Sequence, residues 1–273
     1  MLSMTSDFVI STGCPEPYLR AIAEAGFTHV HWCHHWADDF LYSKCEIDQI
    51  ARWLKEFGLG VCDLHASSGA EKNWMSEREY ERLAGVELVA NRIDMVADLG
   101  SDVTILHVPG EPAQPDQREG YWSRLRRSLE AVAPVARRRG VRIALENGDI
   151  ETLAGIFAQY GPDLLGLCYD CGHGNNDKCL DRTFDLKDRL ISVHLHDNDG
   201  AGDQHKIPFD GTVDWPKVAR LVAESSYRKG VNCESVMAGY PQAEVGAWLR
   251  EAYAACRRLE AMIDRCRSAR PQP

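Results

Sequence analysis

Nine residues that can ligate a metal ion stand at or just beyond the ends of predicted strands. Each closes or follows a short run of β-branched or apolar residues, as in the run VCDLH that ends at His65. In a barrel of parallel strands the carboxyl ends of all strands point to one rim, so ligands distant in sequence can converge there. This arrangement predicts a metal-dependent enzyme. The nine residues are His65, His107, Glu146, Asp170, His173, His194, Asp203, His205 and Glu234.

Two of the patterns are local. Asp170 and His173 lie three residues apart at a strand end and in the following turn, where both side chains can face one pocket. An aspartate that caps a helix beside a surface histidine is the alternative. His194 and His196 lie two apart on a predicted strand, so they face the same side. Because buried imidazoles need polar partners, we interpret one of these two histidines as a ligand.

Other candidates depend more on their setting. Glu146 and Glu234 end apolar strands, where a carboxylate is costly unless a cation or hydrogen bonds compensate its burial. Asp203 and His205 occupy a loop rich in glycine and aspartate. Loops on a rigid scaffold are a usual place for ligands, although a polar surface turn would have the same composition.

Strand-like and helix-like patterns alternate along the whole chain and position these residues. Eight strands separated by helices imply a parallel sheet. We therefore predict an α/β fold, a single (β/α)8 TIM barrel over residues 1–267, with a disordered tail at 268–273. A doubly wound open sheet is the second choice, since no glycine-rich phosphate-binding turn follows an early strand. The predicted strands are Phe8–Ser11, Thr28–Trp32, Val61–His65, Val103–His107, Val141–Glu146, Leu164–Tyr169, Ile191–His196 and Val231–Glu234.

Glycines mark the ends of the predicted helices. A glycine just past the last helical residue is typical of a C-cap. The last helix, predicted over Ala243–Arg265, has no such signal and runs towards the tail. The glycines interpreted in this way are Gly26, Gly58, Gly100, Gly140 and Gly230.

The composition favours a globular enzyme over a nucleic-acid or membrane protein. The formal net charge is −10 over 273 residues. Nucleic-acid affinity comes largely from lysines and arginines that neutralise phosphates, so we expect no nucleic-acid partner. No run approaches the roughly 18 apolar residues of a membrane span, and residues 1–12 lack a signal-peptide pattern. We expect a cytoplasmic protein with a small-molecule substrate and no membrane partner, and the sequence leaves a homo-oligomer open.

The constellation resembles the xylose isomerase-like barrel superfamily, which includes sugar isomerases and epimerases, inosose dehydratases and type-IV AP endonucleases. The resemblance covers strands three to eight well and the first two poorly. It lies in Glu146 of the run LEN, in the Asp-x-x-His of Asp170 and His173, in His194 of a His-Leu-x-Asp element, and in Glu234 of the last strand. It implies that Glu146, Asp170, His194 and Glu234 hold one divalent ion and that His173 contacts the substrate.

The resemblance implies a divalent-metal-dependent isomerase or epimerase that acts on a small sugar or keto-polyol. In this hypothesis the metal stabilises the enediolate that forms when a proton leaves the carbon beside a carbonyl. Glu146 and Glu234 are the catalytic pair, one removing the proton and the other returning it, and His173 and His205 orient the substrate hydroxyls. Loss of a β-hydroxyl after the same enolisation would give a dehydratase of the inosose dehydratase type.

A multinuclear zinc phosphoesterase of the endonuclease IV type is the competing hypothesis. In that branch the equivalents of His65, His107, Asp203 and His205 complete a three-zinc cluster, so these residues and His173 are further candidate ligands. Neither branch matches fully. The chain lacks the basic, DNA-penetrating loops of the endonucleases, and the epimerases carry an arginine about where His205 falls. If His65 and His107 are not ligands, we expect them to contact the substrate, although each alone could be a structural histidine.

The second predicted strand departs from the family pattern, which commonly has a glutamate near its end. Residues 28–36 read THVHWCHHW, with four histidines and two tryptophans. Aromatic faces suit sugar rings, so Trp36 is a candidate substrate contact. Trp74, in the loop after the third strand, is another. An unusual packing segment is the alternative interpretation of residues 28–36.

The ligand set does not choose one metal. Carboxylate-rich sites suit Mg²⁺ or Mn²⁺, whereas added histidines move the preference towards Zn²⁺, Co²⁺ or Fe²⁺. We expect Mn²⁺ or Zn²⁺, with Mg²⁺, Co²⁺ and Fe²⁺ left open.

Overall fold

The structure, a computed structural model, describes residues 1–269. Eight parallel strands surrounded by helices form a single (β/α)8 TIM barrel, as predicted. Their ends gather at one rim, which is where the candidate ligands lie in sequence. The strands are β1 Leu2–Thr5, β2 His29–Trp32, β3 Gly60–His65, β4 Val103–His107, β5 Arg142–Glu146, β6 Leu165–Asp170, β7 Leu190–His194 and β8 Val231–Cys233.

The barrel closes between its last two strands. Hydrogen-bonded neighbours run in sequence from β1 to β7, and β8 pairs with β1. Just beyond β7, the amide of Leu195 donates to Asn232 O at 2.9 Å, and the amide of Glu234 donates to Leu195 O at 3.3 Å. These two bonds join the end of β7 to the end of β8, so they bring His194 beside Glu234.

Helices cover the outer face of the barrel, and their ends follow local sequence signals. The second helix has a capping box, in which Ser43 Oγ accepts from Glu46 N and the Glu46 carboxylate accepts from Ser43 N. It ends at Gly58, whose φ of +70° is the left-handed conformation that glycine tolerates. The helices are α1 Glu16–Glu24, α2 Lys44–Phe57, α3 Glu79–Asp98, α4 Pro115–Arg139, α5 Ile150–Phe157, α6 Cys171–Asn176, α7 Leu180–Thr183, α8 Trp215–Glu224 and α9 Val245–Ser268.

The predicted first strand, Phe8–Ser11, is wrong. The strand at this position of the barrel is Leu2–Thr5, in which Ser3 pairs with His29 on one side and with Asn232 on the other. Its hydroxyl residues interrupt the apolar run by which a buried strand is recognised. Phe8 is buried in a different way, since its ring stacks on Trp248 with centroids 5.6 Å apart.

Two other predictions need correction at the carboxyl-terminal end. Gly230 is not a helix cap, because α8 ends at Glu224. A side chain at Gly230 would overlap the backbone of Met1, so this glycine permits the close approach of β8 to the start of the chain. The last helix continues to Ser268, and residues 270–273 of the predicted disordered tail lie outside the described residues.

The main apolar core lies between the strands and the helices. In residues 1–269 no helix combines the length and the hydropathy that a membrane crossing requires.

Candidate active site

Four neighbouring strand ends bring together the residues predicted to hold one ion. Glu146 is the last residue of β5, Asp170 of β6 and His194 of β7, and Glu234 directly follows β8. One ligand atom from each lies within 4.8 Å of all the others. All four residues are buried, with Glu234 the most exposed at 7%. The barrel therefore delivers three carboxylates and one imidazole to a single buried point.

Several of these ligand atoms have no hydrogen-bond partner. Glu146 Oε2 and both ring nitrogens of His194 are buried and make no hydrogen bond to any residue in the range 1–269. Buried polar atoms are costly when unpaired, and a bound cation would satisfy Glu146 Oε2 and one of the two ring nitrogens of His194. A set of carboxylate oxygens and an imidazole nitrogen is also the donor chemistry of divalent metals. The residues therefore fit a divalent ion.

Both glutamates are held in the ionised form that ligates metals. Burial alone would raise the pKa of Glu146, but the imidazoles of His107 and His194 outweigh it and hold this pKa well below its usual value. Burial likewise opposes ionisation of Glu234, and His194 and His31 hold its pKa well below the usual range. The cluster thus combines buried negative carboxylates with surrounding imidazoles.

Asp170 is fixed from three directions. Its amide donates to Asn147 Oδ1 at 2.5 Å, and Asn147 Nδ2 donates back to Asp170 O at 3.0 Å. Its side-chain Oδ1 accepts from His173 N at 2.8 Å, which caps α6. His196 Nε2 lies 3.0 Å from Oδ2. Of the two histidines predicted to face one side, His194 thus joins the four-residue cluster, and His196 contacts the Asp170 carboxylate.

A second group of histidines lies against Glu146. Glu146 Oε2 is 3.4 Å from His65 Nε2 and 3.6 Å from His107 Nε2. The two imidazole rings have centroids 4.9 Å apart. These three residues form a further group whose ligand atoms could hold a cation. His65 and His107 therefore lie where either of their predicted roles, ligand or substrate contact, is possible.

The loop after β7 brings the remaining candidates to the same rim. His205 Nε2 lies 3.1 Å from Asp203 Oδ2, and His205 Nδ1 lies 2.7 Å from Glu234 O. His173 Nε2 lies 3.5 Å from the same Asp203 oxygen. His205 has a φ of +47°, a left-handed conformation that is uncommon outside glycine and that clusters at functional sites. The loop is thus held in the geometry that joins His205 to Glu234.

Carboxylates also control the charge of these two histidines. Burial lowers the pKa of His173, but Asp170 and Asp203 outweigh that effect and raise it to about 10. Burial opposes protonation of His205 in the same way, and Asp203 and Glu234 raise its pKa to about 10. These carboxylates therefore hold both imidazoles in the protonated form when no ion is bound, and both ring nitrogens of His205 already contact Asp203 Oδ2 and Glu234 O.

A cavity of about 310 Å³ opens from this cluster to solvent. Pockets of this size accept small molecules. Among the described residues that line it there is neither a lysine nor an arginine. The lining residues are Asp7, Cys33, Trp36, His65, His107, Glu146, His173, Asp203, His205, Glu234 and Val236.

The two candidate tryptophans have different positions. Trp36 lines the cavity, and its ring lies 5.1 Å from the ring of His65 and 5.8 Å from that of His107. Trp74 does not reach the cavity and is 2% exposed in the apolar core. The absence of a side chain at Gly85 lets the backbone of Trp74 pack directly on α3. The loop after β3 therefore turns away from the site, and Trp74 as a substrate contact is wrong.

Residues 28–36 divide between the cavity and the core. Trp36 and Cys33 line the cavity, and His31 lies 3.2 Å from Glu234 Oε1 inside the barrel. Trp32 and His34 are buried on the other side, with Trp32 Nε1 donating to Tyr42 Oη at 3.2 Å. The segment thus contributes residues both to the wall of the cavity and to the core, and a contact of Trp36 with substrate stays a prediction.

Some site residues were missed by the sequence reasoning. Asp7 lies just after β1. It was not predicted, because the first strand was expected at Phe8–Ser11. Asp63, which contacts His31, stands within the apolar run VCDLH, and a charged residue inside a buried strand was the signal that could have found it. Cys33 has no signal in the sequence, since an isolated cysteine is commonly a small buried hydrophobe.

Comparisons with known proteins agree with this geometry. A family model described as xylose isomerase-like TIM barrel matches residues 19–259. The uncharacterized protein y4fM of Sinorhizobium fredii is 33% identical over an alignment 278 residues long. The alignment covers 90% of this chain and 88% of that protein. Fructoselysine 3-epimerase of Shigella flexneri is 23% identical, with coverage of 59% of this chain and 62% of the enzyme. A crystal structure of D-psicose 3-epimerase in the presence of D-fructose superposes with a TM-score of 0.77, 18% identity and coverage of 96% and 99%.

Proposed function

The chain belongs to the xylose isomerase-like TIM barrel family, and from that premise we propose that it is a divalent-metal-dependent epimerase or isomerase of a small ketose or keto-polyol. The observation that carries this proposal is the buried convergence of Glu146, Asp170, His194 and Glu234, with ligand atoms within 4.8 Å of one another. Fructoselysine 3-epimerase and D-psicose 3-epimerase, which resemble the chain, support a sugar-like substrate.

The four residues of the cluster would hold the ion, which when bound would polarise a substrate carbonyl as a Lewis acid. Glu146 and Glu234 approach His194 Nδ1 from different strands, at 3.4 Å and 3.1 Å. In the proposed reaction the two carboxylates would act on opposite faces of a carbon bound beside the ion. One would remove the proton beside the carbonyl, and the other would return a proton to the opposite face.

The remaining cavity residues would bind and orient the substrate. His173 and His205 line the cavity and would orient the hydroxyl groups of the substrate. Trp36 would cover one face of the sugar. A phosphate group usually requires arginine or lysine partners, and the described lining of the cavity has neither. The substrate is therefore an unphosphorylated keto sugar or polyol.

A second candidate is a hydrolase that uses more than one metal. His65, His107 and Glu146 form one additional ligand group, and His196, His205 and Glu234 form another. Two or three zinc ions held in this way could generate a hydroxide that attacks a phosphoester. The absence of lysine and arginine from the described cavity lining disfavours this candidate. A dehydratase would use the epimerase site itself and would differ in product, since it loses a β-hydroxyl as water.

Proton exchange with solvent tests the proposal. Protein loaded with Mn²⁺, and separately with Zn²⁺, is incubated in D₂O with a panel of ketohexoses, ketopentoses and keto-inositols, and products are followed by NMR. We expect deuterium beside the carbonyl of at least one compound, together with its epimer or isomer. Glu234→Gln should abolish this exchange while leaving the barrel folded. Normal exchange in that variant would contradict the role of Glu234 in proton transfer. A dehydrated product would show that the enzyme is a dehydratase and not an epimerase.

A further inference from the structure

One residue of the segment 28–36 contacts Glu234, one of the two proposed catalytic glutamates, from inside the barrel. His31, on β2, is wholly buried. Its Nε2 lies 3.2 Å from Glu234 Oε1, and its Nδ1 lies 2.6 Å from Asp63 Oδ1. The imidazole therefore joins two carboxylates, one on β3 and one at the end of β8.

Asp63 is itself fixed by the surrounding strands. Its carboxylate accepts from the Ser192 hydroxyl and from Asn232 Nδ2, the latter at 3.1 Å and 3.2 Å from its two oxygens. All three residues are wholly buried. A buried carboxylate is stable only when it is paired and hydrogen-bonded, and here the donors come from β2, β7 and β8. Asp63 can therefore hold the His31 ring in one orientation.

The two oxygens of Glu234 have different surroundings. Oε1 faces His31 Nε2, and the Cys33 thiol contacts both groups, at 3.7 Å from Oε1 and 2.8 Å from Nε2. Oε2 faces His194 Nδ1 at 3.1 Å. A carboxylate whose first oxygen is held in this way cannot rotate freely about its terminal bond.

We infer that His31, held by Asp63, is a positioning residue that orients Glu234 so that Oε2 points at the ligand cluster. The inference rests on the proposed function, since it gives His31 its role through Glu234. Hydrogen-bonded partners behind a metal ligand orient it, and their loss typically costs 10- to 100-fold in metal affinity. In this inference, the segment 28–36 contributes a residue that orients a metal ligand, in addition to residues that line the cavity or pack in the core.

Mn²⁺ binding to the chelator-treated full chain tests the inference by calorimetry. His31→Phe keeps a planar ring but removes both hydrogen bonds, and we expect the dissociation constant for Mn²⁺ to rise roughly 10- to 100-fold. His31→Gln retains an amide that can donate to Glu234 and should recover part of the affinity. Ser3→Ala is the matched control, because Ser3 is a wholly buried residue of β1 whose hydroxyl has no hydrogen-bond partner in the range 1–269. Its affinity should equal that of the wild type.

Crystal structures of the metal-free wild type and His31→Phe give an independent result. We expect the Glu234 carboxylate to be rotated in the variant, with the strands in place. An unchanged carboxylate, or an unchanged affinity for Mn²⁺, would overturn the inference and leave the proposed function intact. Wild-type protein that binds no Mn²⁺ would instead count against the proposed function, and the orientation of Glu234 would still decide the role of His31. If His31→Phe does not fold, Asp63→Asn, which keeps the side-chain shape, is compared in the same two measurements.

Discussion

Single side chains at the rim of the barrel decide what the site can bind. Trp36 and Trp74 are residues of one type in neighbouring loops, yet one lines the cavity and the other lies in the core. We therefore expect Trp36 to affect substrate binding and Trp74 to affect stability.

Replacing each tryptophan with alanine should give opposite results. Trp36→Ala should raise KM for the ketose identified in the exchange assay, because the aromatic wall of the cavity is lost, with little change in the free energy of unfolding. Trp74→Ala should lower the free energy of unfolding by about 3–5 kcal/mol, because it opens a large cavity in the core, and its KM should stay near the wild-type value. Urea denaturation and steady-state kinetics measure both. A stability loss confined to Trp36→Ala would contradict the assignment.

His34 should make the stability of the protein depend on pH. Burial lowers its pKa from 6.5 to about 4, and the neighbouring His35 adds to the effect. The unfolded chain therefore takes up a proton near pH 6.5 while the folded chain does not. The stability from this residue is present above that pH and is lost as the pH falls towards 4.

A phenylalanine variant measures this effect. Between about pH 7.5 and about pH 5, the wild type should lose about 2 kcal/mol more of its free energy of unfolding than His34→Phe, at about 1.4 kcal/mol per pKa unit. Urea denaturation of metal-free protein at both pH values gives the difference. Parallel losses in the two proteins would show that His34 is protonated in the folded state.

At the scale of elements, the loop between β7 and α8 depends on one aspartate. Asp197 accepts hydrogen bonds from the amides of Phe209 and Val213, at 3.0 Å and 3.1 Å, and from Trp215 Nε1 at 2.8 Å. Its own amide and carbonyl pair with Lys206 at 2.8 Å. A single carboxylate thus gathers both ends of the loop that carries Asp203 and His205.

Asp197→Ala should disturb both stability and the site. We expect a loss of about 3 kcal/mol in the free energy of unfolding, because several donors lose a charged acceptor at once, and weaker Mn²⁺ binding, because His205 loses its position beside Glu234. Asp214→Ala is the control. It removes only the cap of α8, where Asp214 Oδ1 accepts from Lys217 N at 3.1 Å, and should cost about 1 kcal/mol with no change in Mn²⁺ affinity. Equal effects of the two substitutions would contradict this account of the loop.

The elements were predictable from the sequence wherever a local signal existed. Strands β2 to β8 coincide with apolar runs in the sequence. The capping box of Ser43 and Glu46 marks the start of α2, and Gly58 marks its end. The first strand was not predictable in this way, because Ser3 and Thr5 are polar and their place is set by pairing with β2 and β8.

The same distinction applies to the site. Residues at strand ends, such as Glu146 and His194, could be proposed from position alone, because barrel geometry sends every such end to one rim. Contacts between side chains inside the barrel could not be predicted in this way. His31 and Asp63 meet only because their strands are adjacent and their side chains face inward, and a one-residue change in strand register would separate them.

At the scale of the whole molecule, the closure of the barrel between β7 and β8 completes the candidate metal site. Hydrogen bonds between the ends of β7 and β8 place Glu234 next to His194, although the two residues are 40 positions apart in the sequence. The barrel fold therefore brings the four candidate ligands together, and we expect the other residues at its rim to determine which substrate binds.

The number of metal ions per chain distinguishes a single-ion epimerase from a multinuclear hydrolase. Chelator-stripped protein is titrated with Mn²⁺ and with Zn²⁺ by calorimetry, and bound metal is then measured by elemental analysis. We predict one tight equivalent, which Asp170→Ala abolishes and His107→Ala leaves in place. No tight binding in the wild type, or a requirement for two or three zinc ions for activity, would contradict a single-ion epimerase, and the latter result would favour the phosphoesterase.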